Sequence, residues 1–251
     1  MPALRPLIFV GSRFNMLEFA VTAHKLGHEI LGILDHQYYM NTDSIDGIPV
    51  IGDERWLLDS NNQQAQTWLK TCDFFVATVS TGEQLNKNIE SNREMLRYQR
   101  INLLDQANAN VASLIDPDSQ LFKNLNNIYS RIKLGKGIFV AHSADVTVYT
   151  VNIGDYAIIQ PQVFIGHHVC IGRNVNIAPM SKIFSCNIGN NSTIGMYSYT
   201  KCCALSRKDY YNIGSWSTVW SQGCIDRDVP DNSILTNQGR VLKKYREIPD
   251  Q

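Results

Sequence analysis

Six isoleucines, Ile153, Ile159, Ile165, Ile171, Ile177 and Ile183, fall six residues apart without a break. The phase then slips by one, and Ile188 and Ile194 follow, again six apart. After an interruption, Ile213, Val219 and Ile225 keep the same interval. A period of six is neither the 3.6 of a helix nor the 2 of a simple strand series. It is the mark of a parallel β-helix, in which one aliphatic residue per hexad points inward and stacks on its counterparts in neighbouring coils. Gly follows the aliphatic at Gly154, Gly166, Gly172, Gly189, Gly195 and Gly214. With the asparagines of "IGRNVN" and "IGNNST", these glycines read as corner residues serving positive φ. The stretch "MYSYTKCCALSRKDYYN" loses the hexad and reads as a loop leaving the coil. Insertions in repeat arrays tend to map to a functional face.

The first half has another grammar. "PLIFVGS" (6–12) is an apolar run closed by Gly11, and "FNMLEFAVTAHKLG" places Met16, Phe19, Ala20 and Ala23 on one helical face, with Gly27 as a stop. "HEILGILD" is a second strand ending at Asp35. "DGIPVIGDERWLL" reads as loop, short strand and helix start, and "CDFFVATVS" (72–80) as a buried strand. A helix is expected over 86–108 and a further strand at "VASLID" (111–116). Alternating strands and helices make a small parallel α/β domain. The expected division is 1–117 for this Rossmann-like domain, 118–135 for a connecting segment and 136–251 for the β-helix with its tail.

Composition excludes little but is consistent. Lys plus Arg and Asp plus Glu both number 23, so bulk charge supports neither a nucleic-acid nor a membrane partner. No apolar run reaches the length of a membrane span, and the N-terminus reads as a first strand rather than a secretory signal. The six cysteines, at 72, 170, 186, 202, 203 and 224, form no CxxC and read as buried free thiols of a cytoplasmic protein.

An α/β unit followed by hexads of the form "IGHHVCIG" and "NIAPMSKI" resembles the sugar O- and N-acyltransferases of the sialic-acid acetyltransferase and bacillosamine N-acetyltransferase type, over nearly the whole chain. The resemblance implies an α/β plus β-solenoid fold in which the helix is left-handed. It implies a homotrimer, acetyl-CoA as acyl donor in the groove between neighbouring helices, and a nucleotide-linked sugar held by the N-terminal domain. It also implies a histidine general base four residues before the next Ile-Gly, which is His167 ahead of Ile171-Gly172. Imidazole suits that task because its ordinary pKa of about 6.5 lies near working pH. The residue-level alternative for His167 is an idle, solvated corner side chain.

His168 stands where the family carries Asp or Glu to orient the base, and its alternative is a solvent-facing side chain. Asn176 stands where some relatives place a second His near the acyl group. Ser185, Cys186 and Met196 match positions lining the CoA groove, mainly through backbone. Relatives often end in Pro-Ala-Lys or Pro-Ala-Arg; here Arg240, Lys243 and Lys244 are the basic residues offered to CoA phosphates, or a solvated tail. For the nucleotide, "GSRFNMLEF" offers Gly11 and Ser12 as a tight turn before a helix and Arg13 as a charged contact. Asp35 closes a strand where Rossmann-type domains place a ribose-binding acid. His142, in "VAHSADV", reads as structural, and His24, His28 and His36 are assigned no chemistry. Two other functions stand beside acyl transfer. One is a non-catalytic sugar-nucleotide-binding or scaffolding protein. The other, a zinc hydratase, would need His142, His167 and His168 to converge on one metal.

Overall fold

The computed structural model describes residues 4–12, 16–79, 93–147, 149–201 and 210–244. The N-terminal apolar run forms β1 (Leu7–Val10), every residue of which is buried. Helix α1 (Met16–Lys25) follows and buries Met16, Phe19, Thr22 and Ala23. It stops at Gly27, whose φ of 88° lets the His28 N–H reach back to the Ala23 carbonyl and its own N–H to that of His24. Then come β2 (Ile30–Leu34), β3 (Ser44–Ile45), β4 (Ile48–Gly52), α2 (Gln63–Thr71), β5 (Asp73–Val76) and α3 (Arg93–Gln106). The sheet order is β3-β4-β2-β1-β5, with β3 antiparallel and the rest parallel. The chain therefore moves to one side of β1 and returns on the other. The gap between the carboxyl ends of β1 and β5 is a topological switch point.

The hexads build a left-handed parallel β-helix with three faces. The first stacks Ile132–Leu134, Val151–Ile153, Val169–Ile171, Cys186–Ile188 and Tyr211–Ile213. The second runs from Leu114–Ile115 through Phe139–Val140, Ile158–Ile159, Asn176–Ile177, Thr193–Ile194 and Thr218–Val219 to Ser233–Leu235 and the antiparallel Val241–Lys243. The third holds Asp145–Val146, Phe164–Ile165, Lys182–Ile183, Tyr199–Thr200 and Cys224–Ile225. All the phased aliphatics from Ile153 to Ile225 belong to one buried cluster.

Register explains the irregularities. Val151 pairs with Val169, eighteen residues on, which is three hexads. Val169 pairs with Cys186, seventeen on, so the phase slip is a corner shortened by one residue. Cys186 pairs with Tyr211, twenty-five on, so the interruption is an insertion between two coils that keep their register. "MYSYT" is thus still coil, with Tyr199–Thr200 in the third face. The expected loop is confined between Lys201 and Tyr210, and its residues 202–209, with Cys202 and Cys203, lie outside the described residues.

Three expectations need correction. The glycines after the aliphatics do not supply positive φ. That conformation belongs two residues later, at Tyr156, Gln162, His168, Asn174 and Met180, and after the shortened corner at Ser185, Asn191 and Tyr197. Gly154 and Gly172 are glycine because the next coil passes where a Cβ would stand. The "VASLID" run is not one strand of the N-terminal sheet: Val111 makes a single parallel bridge to Phe74 of β5, and Leu114–Ile115 then pairs with Phe139–Val140 of the solenoid. Cys170 is exposed rather than buried. Cys72 and Cys186 are buried and Cys224 partly so, all four as free thiols.

The two halves share a core. Phe139 and Ile158, pointing out of the second face, join the cluster of Phe9, Phe19 and Phe75, and the Phe19 and Phe139 rings meet edge-on at 4.7 Å. Arg97 of α3 staples the junction from full burial. Its guanidinium donates to the carbonyls of Val76, Thr78 and Tyr156 and to Asn174 Oδ1. Burial pushes its pKa down to about 9, which leaves it a cation at neutral pH. Among the described residues no helix is long and apolar enough to cross a membrane.

Candidate functional site

Two polar constellations stand out, one on the solenoid edge and one at the end of the N-terminal sheet. On the solenoid, residues 166–168 turn the chain from the third face to the first. Gly166 lacks a side chain because the Phe184 ring of the next coil occupies that place. His167 and His168 are exposed, their rings nearly perpendicular at 80°, with Nδ1 facing Nδ1 at 2.9 Å. His168 carries the corner's positive φ of 56°, which turns its side chain out of the alternation an extended strand would impose. The His167 ring lies 6.2 Å from Phe184 and the His168 ring 6.1 Å from Tyr210.

The shortened corner sits directly above the pair. Ser185 N–H donates to the His167 carbonyl at 3.0 Å and Cys186 N–H to that of His168 at 3.2 Å. Tyr211 N–H in turn donates to Ser185 O at 3.1 Å. The histidine pair, the one-residue deletion and the return of the insertion therefore stack on one edge.

Of the other residues named for CoA, Ser185 and Cys186 reach that edge. The Cys186 side chain faces the solenoid core, and its N–H is engaged by the His168 carbonyl. Met196 is exposed, but between the second and third faces. Asn176 lies on the second face with its side chain closed in and its Oδ1 accepting from Gln160. The expectation of Asn176 beside the acyl group does not fit that closure. Arg240 and Lys243 are exposed at the last strand. Lys244 is not available as a basic tail residue, since its Nζ donates to the Trp216 carbonyl at 2.7 Å and stands 3.6 Å from Glu94. His142 sits on a different edge from His167, and no group of three imidazoles converges among the described residues.

The second constellation fills the switch point. Gly11 has φ 82°, and a Cβ there would run into Thr78 Oγ1 and the Arg100 guanidinium. Ser12 Oγ donates to Asp35 Oδ2 at 2.6 Å, and the Gln37 N–H reaches Oδ1 at 3.0 Å. Arg100 Nη2 lies 3.0 Å from Oδ1 as an ion pair, off the line of a hydrogen bond. Its Nε donates to Glu54 Oε1 at 2.9 Å and its Nη1 to Thr78 Oγ1 at 2.6 Å. Glu54 also accepts the His36 N–H at 2.6 Å and His36 Nδ1 at 2.7 Å. Burial pushes the Glu54 carboxyl up, but Arg100 and then His36 overcome it and hold the group below its ordinary range.

Asp35 is 1% exposed with both oxygens engaged, so it anchors Ser12 and Arg100 from within. The outward group is His36, whose side chain keeps 29% of its surface. Asp35, His36 and Glu54 bring ligand atoms within 4.8 Å of one another, but the Arg100 guanidinium already stands between the two carboxylates as their cation. Arg13 lies outside the described residues. Reading the sequence alone passed over His36, Glu54 and Arg100. One signal was available: Arg97 and Arg100, three apart, share the buried stripe of α3 with Ile101 and Leu104. Cations on such a stripe need buried acceptors.

The bacterial transferase hexapeptide family, six repeats, matches residues 150–185, the coils that carry the histidine pair. These coils carry the hexapeptide repeat. As a whole fold, the chain is similar to a mutant perosamine N-acetyltransferase from Caulobacter crescentus solved with CoA and GDP-perosamine. The TM-score is 0.72 at 17% identity, over 94% of this chain and 96% of that one. It is similar to the acetyltransferase domain of PglB from Neisseria gonorrhoeae, with TM-score 0.71, 21% identity and coverage of 93% and 97%. WeeI from Acinetobacter baumannii AYE aligns with TM-score 0.69 and 15% identity over 94% and 99%. Among curated proteins, the bifunctional protein GlmU of Thermotoga petrophila is 37% identical over 116 residues, which are 46% of this chain and 22% of that protein's length.

Proposed function

We propose that this protein transfers an acetyl group from acetyl-CoA to an amino, or hydroxyl, group of a nucleotide-linked sugar destined for surface polysaccharide, in the cytoplasm. One observation carries the reading. An exposed histidine with its Nδ1 engaged by a neighbour sits on the solenoid edge of a chain whose fold matches, end to end, proteins solved with CoA and GDP-perosamine. The PglB domain of the same fold was solved with acetyl-coenzyme A.

His167 is the general base. The acceptor lone pair attacks the thioester carbonyl carbon, the new C–N or C–O bond forms, and Nε2 of His167 takes the acceptor's proton. The C–S bond then breaks, and CoA leaves as thiolate and takes up that proton. Free backbone N–H groups are the natural donors to the oxyanion. Ser185 N–H is already spent on His167 O.

The N-terminal unit, 1–117, holds the nucleotide at the switch point, beside the Gly11–Ser12 turn and the outward His36; 118–135 connects, and 136–251 carries the chemistry. His167 and Met196 lie on different edges of one prism. A site that uses both takes a second copy of the chain, which supports a homotrimer with CoA between neighbours.

The test is CoA release from acetyl-CoA with a panel of amino-sugar nucleotides, in the wild type and His167→Ala. Turnover that disappears in the variant supports the assignment, and full activity in the variant removes it. Sugar-nucleotide binding without CoA binding or turnover points to a non-catalytic binding or scaffolding protein.

A further inference from the structure

We infer that His168 is a positioning residue whose neutral Nδ1 accepts the Nδ1–H of His167 and so aims the base through an imidazole where an anion would ordinarily stand. The inference rests on the reading of His167 as base and adds to it how the base is held and when it fails.

Two Nδ1 atoms 2.9 Å apart share one proton, because two N–H groups would point at each other and two bare nitrogens would have nothing to share. Two arrangements satisfy this. In one, His168 donates, which leaves His167 with its proton on Nε2 and no basic nitrogen. In the other, His167 donates and its Nε2 keeps the lone pair that abstraction requires. Catalysis selects the second, with His168 as the Nε2–H tautomer.

The backbone supports the contact. The positive φ of His168 belongs to the six-residue series of corner conformations, so the solenoid itself sets the angle between the two side chains. From above, Ser185 and Cys186 N–H groups hold the carbonyls of both histidines, and from below Val169 N–H is tied to the Thr150 carbonyl. The side chains on the pair are the Phe184 ring against His167 and Tyr210 against His168. Tyr210 is the titratable one of these two. Cys170, two residues on, meets Asn152 through its sulfur. Among the described residues no carboxylate or Lys or Arg side chain pairs with either imidazole.

The proton accounting is specific. When Nε2 of His167 takes the acceptor's proton, the imidazolium keeps its Nδ1–H on His168 and the geometry survives turnover. When solvent protonates Nδ1 of His168, both rings are donors at Nδ1, the contact turns repulsive and the aim is lost. A carboxylate in the same place would stay an acceptor throughout and would favour the charged form of His167. Protons taken up by two groups in contact belong to the pair, so activity is expected to fall on the acid side as the contact is lost.

The experiment has two arms. The first follows imidazole 15N resonances of the free wild-type protein through pH. Coupled, two-step titration of His167 and His168 is expected, and independent single-step curves overturn the inference. The second measures kcat and KM against pH for the wild type, His168→Ala and His168→Asp, with thermal midpoints as a control for folding. His168→Ala should lower kcat by about 10- to 100-fold with KM unchanged, the scale of losing an orienting hydrogen bond on a working imidazole. His168→Asp, which also tolerates the left-handed corner, should restore kcat. It should reduce the acid limb to one proton and move it to higher pH. Wild-type kcat and pH profile in His168→Ala would also overturn the inference. If His167→Ala stays active while the 15N titration is coupled, the base assignment fails and the paired-imidazole assignment stands.

Discussion

The two constellations differ in how finished they are within one chain. At the switch point, Ser12, Asp35, Glu54, Thr78 and Arg100 bond one another almost completely, under burial, and only His36 reaches outward. At the solenoid edge, His167 and His168 are exposed and hold little more than each other. The first is a rigid cradle assembled by folding. The second is an open edge held mainly by its own backbone. The difference assigns different costs to mutation: the cradle is coupled to stability, whereas the edge can lose function without unfolding.

That contrast can be broken by experiment. The largest effect is expected from His167→Ala, which should reduce acetyl transfer by about 10²- to 10⁴-fold, the usual worth of a general base. Its thermal midpoint should stay at the wild-type value, because the side chain is exposed. A large fall in the midpoint would show that the edge is structural.

Arg97→Met should do the reverse. It strands the carbonyls of Val76, Thr78 and Tyr156 and Asn174 Oδ1 at the junction of the two halves. Denaturant unfolding should show a loss of about 3–5 kcal/mol, the scale for leaving several buried acceptors without a donor.

Glu54→Gln should come next, at about 2–4 kcal/mol near neutral pH, because Arg100 is left with Asp35 alone. Its pH dependence sharpens the point. The Glu54 carboxyl is held below its ordinary value of 4.5, so its contribution is complete above that pH and is lost as pH falls through the lower folded-state value. The wild type should lose stability faster than the variant below pH 4.5. Parallel stability curves would show that Glu54 does not govern the acid sensitivity of the cradle.

Ile171→Val is the mildest test, at about 0.5–1.5 kcal/mol. It removes one methylene from the stack beneath the histidine corner. Turnover should be nearly unchanged, since the corner backbone is held by the neighbouring coils.

Much of the solenoid was legible because a period of six is a property of the chain itself. Ile153 to Ile183 mark the inward column before any contact is known, and the slip before Ile188 marks the shortened corner. The N-terminal strands themselves were legible from the same kind of local signal in "PLIFVGS", "HEILGILD" and "CDFFVATVS". The role of the glycines was not legible, because Gly154 and Gly172 answer to the passage of a coil eighteen residues away and not to their own φ. The closure of Asp35 was hidden for the same reason: its partners Ser12 and Arg100 come from other elements.

The sequence by itself determined the repeat and the alternation before it, since each rests on residue type at fixed local spacing, and the family resemblance those residues carry made His167 a candidate. Only the tertiary structure decided that Arg100 occupies the centre of the switch-point crevice, that His36 rather than Asp35 faces outward, and that His168 meets His167 nitrogen to nitrogen. Those are facts of distance between atoms brought together by folding, and a linear spacing carries no information about the direction in which a side chain leaves a left-handed corner.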